Sequence, residues 1–312
     1  MYYYKVFDLH IVSDIHIPQF AQTKEMEEVD FTIKIAPDNA STSLVNPTNS
    51  KYFQKHNVFV QYDNKHLLIE HKQKVCFYFK DRKTVLVKRD INLDENKLST
   101  LLSGGILSVY LMLNRKFLLH GCAVEINGKA NLFLGSSGNG KSTLAALLVK
   151  QGYKLISDDI CFLERDAANK GWIIYPSYPS IKLLPDSYEA VENNNVPTPV
   201  IMQDLQTNKS QYNYSGFSVS KTREVENIFI LDNFYDLQEV EIIPLDFVEA
   251  LKKVQINTYR KHFIKLLSIQ TAHLEYCHRI SSSIPVYNIR RPFGIQHCNS
   301  LIDEIVNLYC VL

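Results

Sequence analysis

The sequence predicts an α/β domain built around a phosphate-binding glycine loop, a P-loop, preceded by a smaller, mostly-β N-terminal domain. Three observations carry this. Of eleven glycines in 312 residues, eight fall between positions 104 and 152, so the backbone freedom that glycine supplies without strain is concentrated in one short stretch. Within it, Gly135-Ser136-Ser137-Gly138-Asn139-Gly140-Lys141-Ser142 fits G-x-x-x-x-G-K-[ST], with an apolar run before it and helical spacing after it. Ahead of residue 90, apolar residues come in short β-branched and aromatic runs instead. The length passes what one core usually serves, and the change of pattern puts the division near residue 95, giving domains 1–95 and 96–312.

Taken in order, Tyr4 to Val12, Phe31 to Ile35, Val58 to Tyr62, Leu67 to Glu70, Val75 to Phe79 and Val85 to Lys88 read as strands, with Asp63-Asn64 as a hairpin turn. Asp94 to Leu113 reads as an apolar helix or helix pair, from the spacing of Leu98, Leu101, Leu102, Leu107 and Leu111. Asn127-Gly128 joins the runs Phe117 to Ile126 and Lys129 to Leu134 into a hairpin. Lys141 to Gln151 is helical and Gly152 is its C-terminal cap. Tyr153 to Ser157 is a strand that runs directly into Asp158-Asp159, with further short strands over Ile173 to Leu184. Asn193 to Arg223 is polar and non-periodic, which predicts a long mobile loop. Strands at Ile228 to Leu231 and Val240 to Ile243, and helices at Asp246 to Lys265 and Asn299 to Val311, complete the chain. There is no internal repeat.

Thirty-four Lys and Arg against thirty-three Asp and Glu leave a net charge of +1, which removes any whole-molecule attraction to nucleic acid or membrane. No apolar stretch approaches the roughly 20 residues of a membrane span. Met1-Tyr2-Tyr3-Tyr4-Lys5 does not resemble a secretion leader, so the expected location is cytoplasmic. The six cysteines are scattered without a C-x-x-C pair and read as reduced core thiols. Lys51 to Asp90 holds ten basic and four acidic residues, read as the wet face of a sheet. Val12-Ser13-Asp14-Ile15-His16 has the D-x-H look of a two-metal phosphoesterase opening, but no Gly-Asp or Gly-Asn-His follows, so it reads as a strand and a polar turn.

The loop motif has a direct chemical reading. Gly135, Ser136, Ser137, Gly138, Asn139 and Gly140 turn backbone N–H groups toward phosphate oxygens, and the helix beginning at Lys141, Ser142 and Thr143 adds its positive end. Lys141 reaches the terminal phosphates and the Ser142 hydroxyl binds Mg²⁺. Asp158-Asp159 follows Lys141 by seventeen positions, one helix, one turn and one strand later. If that strand lies parallel beside the loop strand, both carboxylates reach the phosphate edge. There, one acid can hold a metal while the other accepts a proton.

His120-Gly121 opening a hairpin, the loop GSSGNGKST and YKLISDD at this spacing together resemble the catalytic domain of the HPr kinase/phosphorylase family and its diverged HPr kinase-like relatives beside ribosomal peptide (lasso peptide) gene clusters. The resemblance runs from about Phe117 to Phe162, and more weakly over Tyr175 to Asp186 and Arg290 to Ile305. It implies a P-loop kinase fold shared with phosphoenolpyruvate carboxykinase, ATP and Mg²⁺ as cofactors, and transfer of the γ-phosphoryl group to a serine of a peptide or small protein. By this similarity Asp158 is the catalytic base, His120 lies near the transferred phosphate, and Asp159 joins Ser142 at the metal. The N-terminal segment YKVFDLHIVSDIHIP looks more like the peptide-tailoring relatives, and the glycine-rich, arginine-containing loop used for phosphorolysis has no counterpart after Asp159. The acceptor this implies is a ribosomal precursor peptide, with HPr kinase/phosphorylase itself as the alternative and a nucleotide-dependent binding module as the rival of a different class. Neither nucleic acid nor membrane is an expected partner, and a homo-oligomer is compatible with the resemblance. Arg223, Arg260, Arg290 and Arg291 all qualify as the arginine that stabilises the phosphate.

Overall fold

The computed structural model describes residues 1–312 apart from 26, 38–49, 56–57, 72–73, 169–170, 192–199, 205–207, 234–235, 293, 295–296 and 309–312. The chain divides into two compact units, Met1–Lys116 with Arg260–His273, and Phe117–Tyr259 with Leu274–Leu312.

In the first unit, β1 (Tyr2–Val6), β2 (Leu9–Ser13), β3 (Phe31–Ile35), β4 (Lys51–Lys55), β5 (Val58–Tyr62), β6 (Leu67–His71), β7 (Val75–Phe79) and β8 (Thr84–Arg89) form one sheet in the order β1-β2-β3-β8-β7-β6-β5-β4. The run Tyr4 to Val12, expected as one strand, is a hairpin. Phe7 and Asp8 take left-handed φ angles of 53° and 62°, and β1 turns back on β2 through these two residues. At the expected Asp63-Asn64 turn, Asn64 has φ 71° and the Asp63 carboxylate accepts from the amides of Lys65 and His66. Lys65, Lys74, Lys80, Lys83 and Lys88 are exposed, as a wet face requires, while Lys72 lies outside the described residues.

Asp94 caps α1 (Glu95–Thr100) by accepting from the Lys97 amide at 2.8 Å, and a π-helical segment, Leu101–Ile106, continues into α2 (Leu107–Leu113). Leu98, Leu102, Leu107 and Leu111 are buried, and Tyr110 stacks on Phe31 with ring centroids 4.3 Å apart. These helices therefore count with the first unit, whose first segment runs from Met1 to Lys116. The Val12 to His16 motif is the end of β2 followed by a bend: Asp14 accepts from the Ile35 amide at 3.0 Å and Ser13 is bonded to Ile15.

The second unit opens with the hairpin β9 (Leu118–Ile126) and β10 (Lys129–Leu134), turning at Asn127 (φ 51°) and Gly128 (φ 79°) as expected. The glycine loop follows, then α3 (Lys141–Lys150), ended at Gly152 with φ 100°. Next come β11 (Lys154–Ser157), β12 (Ile160–Arg165), β13 (Trp172–Tyr175), β14 (Ser180–Leu183), α4 (Pro185–Val191), β15 (Val200–Asp204), β16 (Lys209–Asn213), β17 (Arg223–Asn233) and β18 (Glu241–Pro244). The chain closes with α5 (Phe247–Ile256), α6 (His262–Leu266), α7 (Gln270–Ser283), β19 (Val286–Arg291) and α8 (Cys298–Asn307). The single helix expected over Asp246 to Lys265 is broken after Ile256, and Arg260, at φ 48°, cannot continue an α-helix. Within the segment expected as a loop, β15 and β16 pair with each other, and β16 pairs with β14, in a three-stranded sheet. Residues 193–199 and 205–207 of that segment lie outside the described residues.

The main sheet of this unit is packed on both faces. Cys122, Val124, Phe133 and Phe229 face Leu144 and Leu148 of α3 and Leu301 and Ile302 of α8. Leu119, Ala123, Leu132 and Ile230 face Ala250 and Val254 of α5 and Cys277 and Ile280 of α7. Strands β10, β17 and β19 run parallel side by side, so their carboxyl ends share one edge.

Candidate active site

That edge holds a cleft of about 590 Å³ lined by His120, the glycine loop, Lys141, Asp158, Asp159, Lys182, Lys209, Arg291 and Cys298, among others. The loop's shape depends on its neighbours. Gly135 sits 2.8 Å, measured from the position a Cβ would take, from the Leu231 carbonyl of β17, and the Asn139 side-chain amide donates to the same carbonyl at 2.6 Å. Gly140 has φ 69°, and the Arg291 guanidinium fills the space of its missing side chain. Ser136, Ser137 and Gly138 are open to solvent.

Lys141 is 7% exposed and donates from Nζ to the carbonyls of Gly135 (2.8 Å) and Ser136 (3.0 Å), curled back over the loop. Burial lowers its pKa, with Cys122 and the two aspartates opposing the shift. Its ammonium is thus held by neutral carbonyls that an anion could replace.

Strand β11 does not lie beside β10. It pairs with β9, which occupies the intervening place, and because both pairings are antiparallel β11 still runs in the direction of β10 and delivers its end to the same edge. Asp158 is 3% exposed; its Oδ1 accepts from Ser142 Oγ at 2.9 Å and its Oδ2 from the Lys182 amide at 3.0 Å. Burial, then the neighbouring Asp159, raise its pKa. Asp159 has the left-handed φ of 73°, which turns the chain into β12 and brings the second carboxylate into the same cleft. Its Oδ2 lies 3.3 Å from Lys182 Nζ and its Oδ1 3.3 Å from His120 Nδ1. Burial pushes the Asp159 carboxyl up, but Lys182 and His120 outweigh it and hold the group well below the usual carboxylate range. Burial works equally against the Lys182 charge and is overcome by Asp159, Tyr178 and Tyr259, so its pKa is raised.

The cleft thus gathers His120, Ser137, Gly138, Gly140 to Thr143, Asp158 and Asp159, while Gly135, Ser136 and Asn139 of the predicted segment do not line it. The geometry separates the roles differently in one respect. Ser142 lies against Asp158, whereas Asp159, expected beside Ser142 at the metal, is engaged by Lys182 and His120. Two residues were missed by sequence reasoning. Lys182 left a signal, a lone charge within the apolar run Ile181-Lys182-Leu183-Leu184; Lys209 left none. Of the four candidate arginines, Arg223 pairs with Glu125, Arg290 pairs with Glu241 at 3.5 Å, and Arg260 lies in the other unit; only Arg291 lines the cleft.

The sequence profile of the HPr Serine kinase C-terminal domain matches residues 112–174, which span β9, the glycine loop, α3 and the Asp pair. This segment is similar to HPr kinase domains. Over 97 residues it is 34% identical to HPr kinase/phosphorylase of Streptococcus uberis, covering 26% of this chain and 31% of that protein. It is 44% identical over 63 residues to that of Lactobacillus acidophilus and 54% identical over 41 residues to that of Lactobacillus johnsonii, covering 20% and 13% of each chain respectively. The likeness to these curated relatives therefore spans less than a third of their length. A solved HPr(Ser) kinase/phosphatase from Coxiella burnetii matches at 14% identity and a TM-score of 0.31, covering 62% of this chain and 88% of that one. Among the described residues, no helix is long and apolar enough to cross a membrane.

Proposed function

We propose that this chain is an ATP-dependent kinase that transfers the γ-phosphoryl group to a serine hydroxyl of a peptide or small protein. The observation that carries the reading is Asp158, a buried carboxylate with raised proton affinity fixed against Ser142 at the mouth of the glycine loop. A general base works best when its pKa lies nearer the working pH than that of an ordinary aspartate. Asp158 takes the serine proton as the hydroxyl oxygen bonds to phosphorus and the bond to the β-phosphate oxygen breaks, so that ADP leaves. Loop amides and Lys141 hold the phosphates, and His120 orients Asp159.

A serine hydroxyl beside carboxylates is a hard-oxygen donor set and fits Mg²⁺, which typically needs only one or two carboxylates besides phosphate and water. Among the described residues no cluster of three His, Cys, Asp or Glu is placed to hold a metal without such help. Ser142 would hold the ion, which neutralises charge on the phosphates when bound, and Asp159 would join it only by giving up its contacts with Lys182 and His120. A ribosomal precursor peptide is the acceptor suggested by the N-terminal likeness, and HPr is the rival suggested by the matched segment. Mass spectrometry after incubating each with Mg-ATP tests both, and the expected product carries one phosphate on serine. ATP bound tightly with no serine product from either would leave the nucleotide-dependent binding module as the reading.

A further inference from the structure

We propose that Arg291 is an anion-binding residue of the cleft and donates to the phosphate chain of the nucleotide; this rests on the nucleotide reading above. Arg291 ends β19, two strands from the glycine-loop strand at the shared carboxyl edge. It is 5% exposed, yet its recorded contacts are neutral: Nη2 donates to the Asn139 carbonyl at 3.0 Å and Nη1 to Cys298 Sγ at 3.3 Å. Its Nε has no hydrogen-bond partner, and among the described residues no carboxylate pairs with it.

A guanidinium cannot discharge itself in a protein, and burying one without a counter-charge is costly. Arg223 and Arg290, at strand ends of the same unit, have their glutamates. Arg291 has instead an opening onto the cleft and lies against Gly140, whose backbone enters the phosphate cradle. The guanidinium rests on the Asn139 carbonyl of the loop, and an anion bound there would supply its counter-charge. A planar fork of donors suits two phosphate oxygens at once.

The test is Arg291→Met in the full chain, which keeps length and removes charge. If Arg291 serves the anion, the thermal midpoint without ligand stays equal or rises, while affinity for inorganic tripolyphosphate and for Mg-ATP, read by calorimetry, falls at least tenfold. Arg291→Lys, with charge but no fork, should recover part of that affinity. A lower midpoint with both affinities kept within threefold overturns the inference and makes Arg291 a structural residue. If Arg291→Met does not fold, Arg291→Lys and Arg291→Gln decide, since equal tripolyphosphate binding by these two also overturns it. Parent protein that binds neither ligand overturns the nucleotide reading together with this inference; parent protein that binds both, with the Met variant equal to it, overturns this inference alone.

Discussion

The two sheets of this protein use polar residues in opposite ways. In the N-terminal sheet, neighbouring strands are mostly antiparallel and charges such as Lys74, Lys80 and Lys88 stand exposed at strands and turns. The sheet of the second unit is covered by α3 and α8 on one face and α5 and α7 on the other. Its central strands have no wet face, and the polar side chains of the cleft, Asp158, Asp159 and Arg291 among them, stand at strand ends. A sheet buried on both faces turns one edge into chemistry.

This contrast can be broken or sharpened by substitution. Phe229, fully buried between the layers of the second sheet, and Phe31, fully buried under Tyr110 in the first, should each cost about 3–5 kcal/mol of stability as Ala. Denaturant unfolding followed with separate signals from the two units should show each loss mainly in its own unit. Next in size, Asp158→Asn should slow serine phosphorylation at least a hundredfold with Mg-ATP affinity nearly unchanged, as loss of a general base predicts. Asp14→Asn, in the first unit just after β2, should leave the rate alone; stopped-flow or quench assays on both decide this. Lys141→Ala should weaken Mg-ATP binding about tenfold or more in calorimetry, the loss of a charge-assisted contact.

The smallest effect separates the two aspartates by pH in metal-free, nucleotide-free protein. The folded pKa of Asp158 lies above its unfolded value near 3.9, so its ionisation opposes folding increasingly as pH rises through that window. Asp159, depressed by Lys182 and His120 against burial, contributes stability that is present above about pH 3.9 and lost as pH falls toward its folded value. Asp158→Asn should therefore raise or leave unchanged the thermal midpoint at pH 7, and Asp159→Asn should lower it. Toward pH 4 the Asp158→Asn difference should shrink; the same sign for both variants at pH 7 would refute the assignment.

Much of this was legible in local sequence because local chemistry decided it. Asn127-Gly128 and Asp63-Asn64 specify turns by their tolerance of left-handed backbone, and the glycine loop with its helix follows from the motif alone. The Phe7-Asp8 turn was hidden because Phe7 is a bulky residue that rarely takes a left-handed φ and Asp8 is a lone turn former within an apolar run, and pairing with β2 overrides the preference of Phe7. The placement of β11 beyond β9 was not readable, since strand order depends on long-range pairing and the motif fixes only the direction of the strand. Arg291 was one of four equal candidates until the pairing of Arg223 with Glu125 and of Arg290 with Glu241, and the place of Arg260 in the other unit, left it as the one of the four that lines the cleft.

The Leu231 carbonyl has a consequence for how portable the motif is. Gly135 approaches it closely and Asn139 is bonded to it, so one backbone atom on a strand 92 residues downstream of Asn139 acts as the template over which the loop is moulded. A transplant of Gly135 to Thr143 into a foreign strand and helix would carry the motif without its mould. To inherit the shape, the host needs a parallel neighbour presenting an acceptor at that height, whatever side chain the neighbour bears.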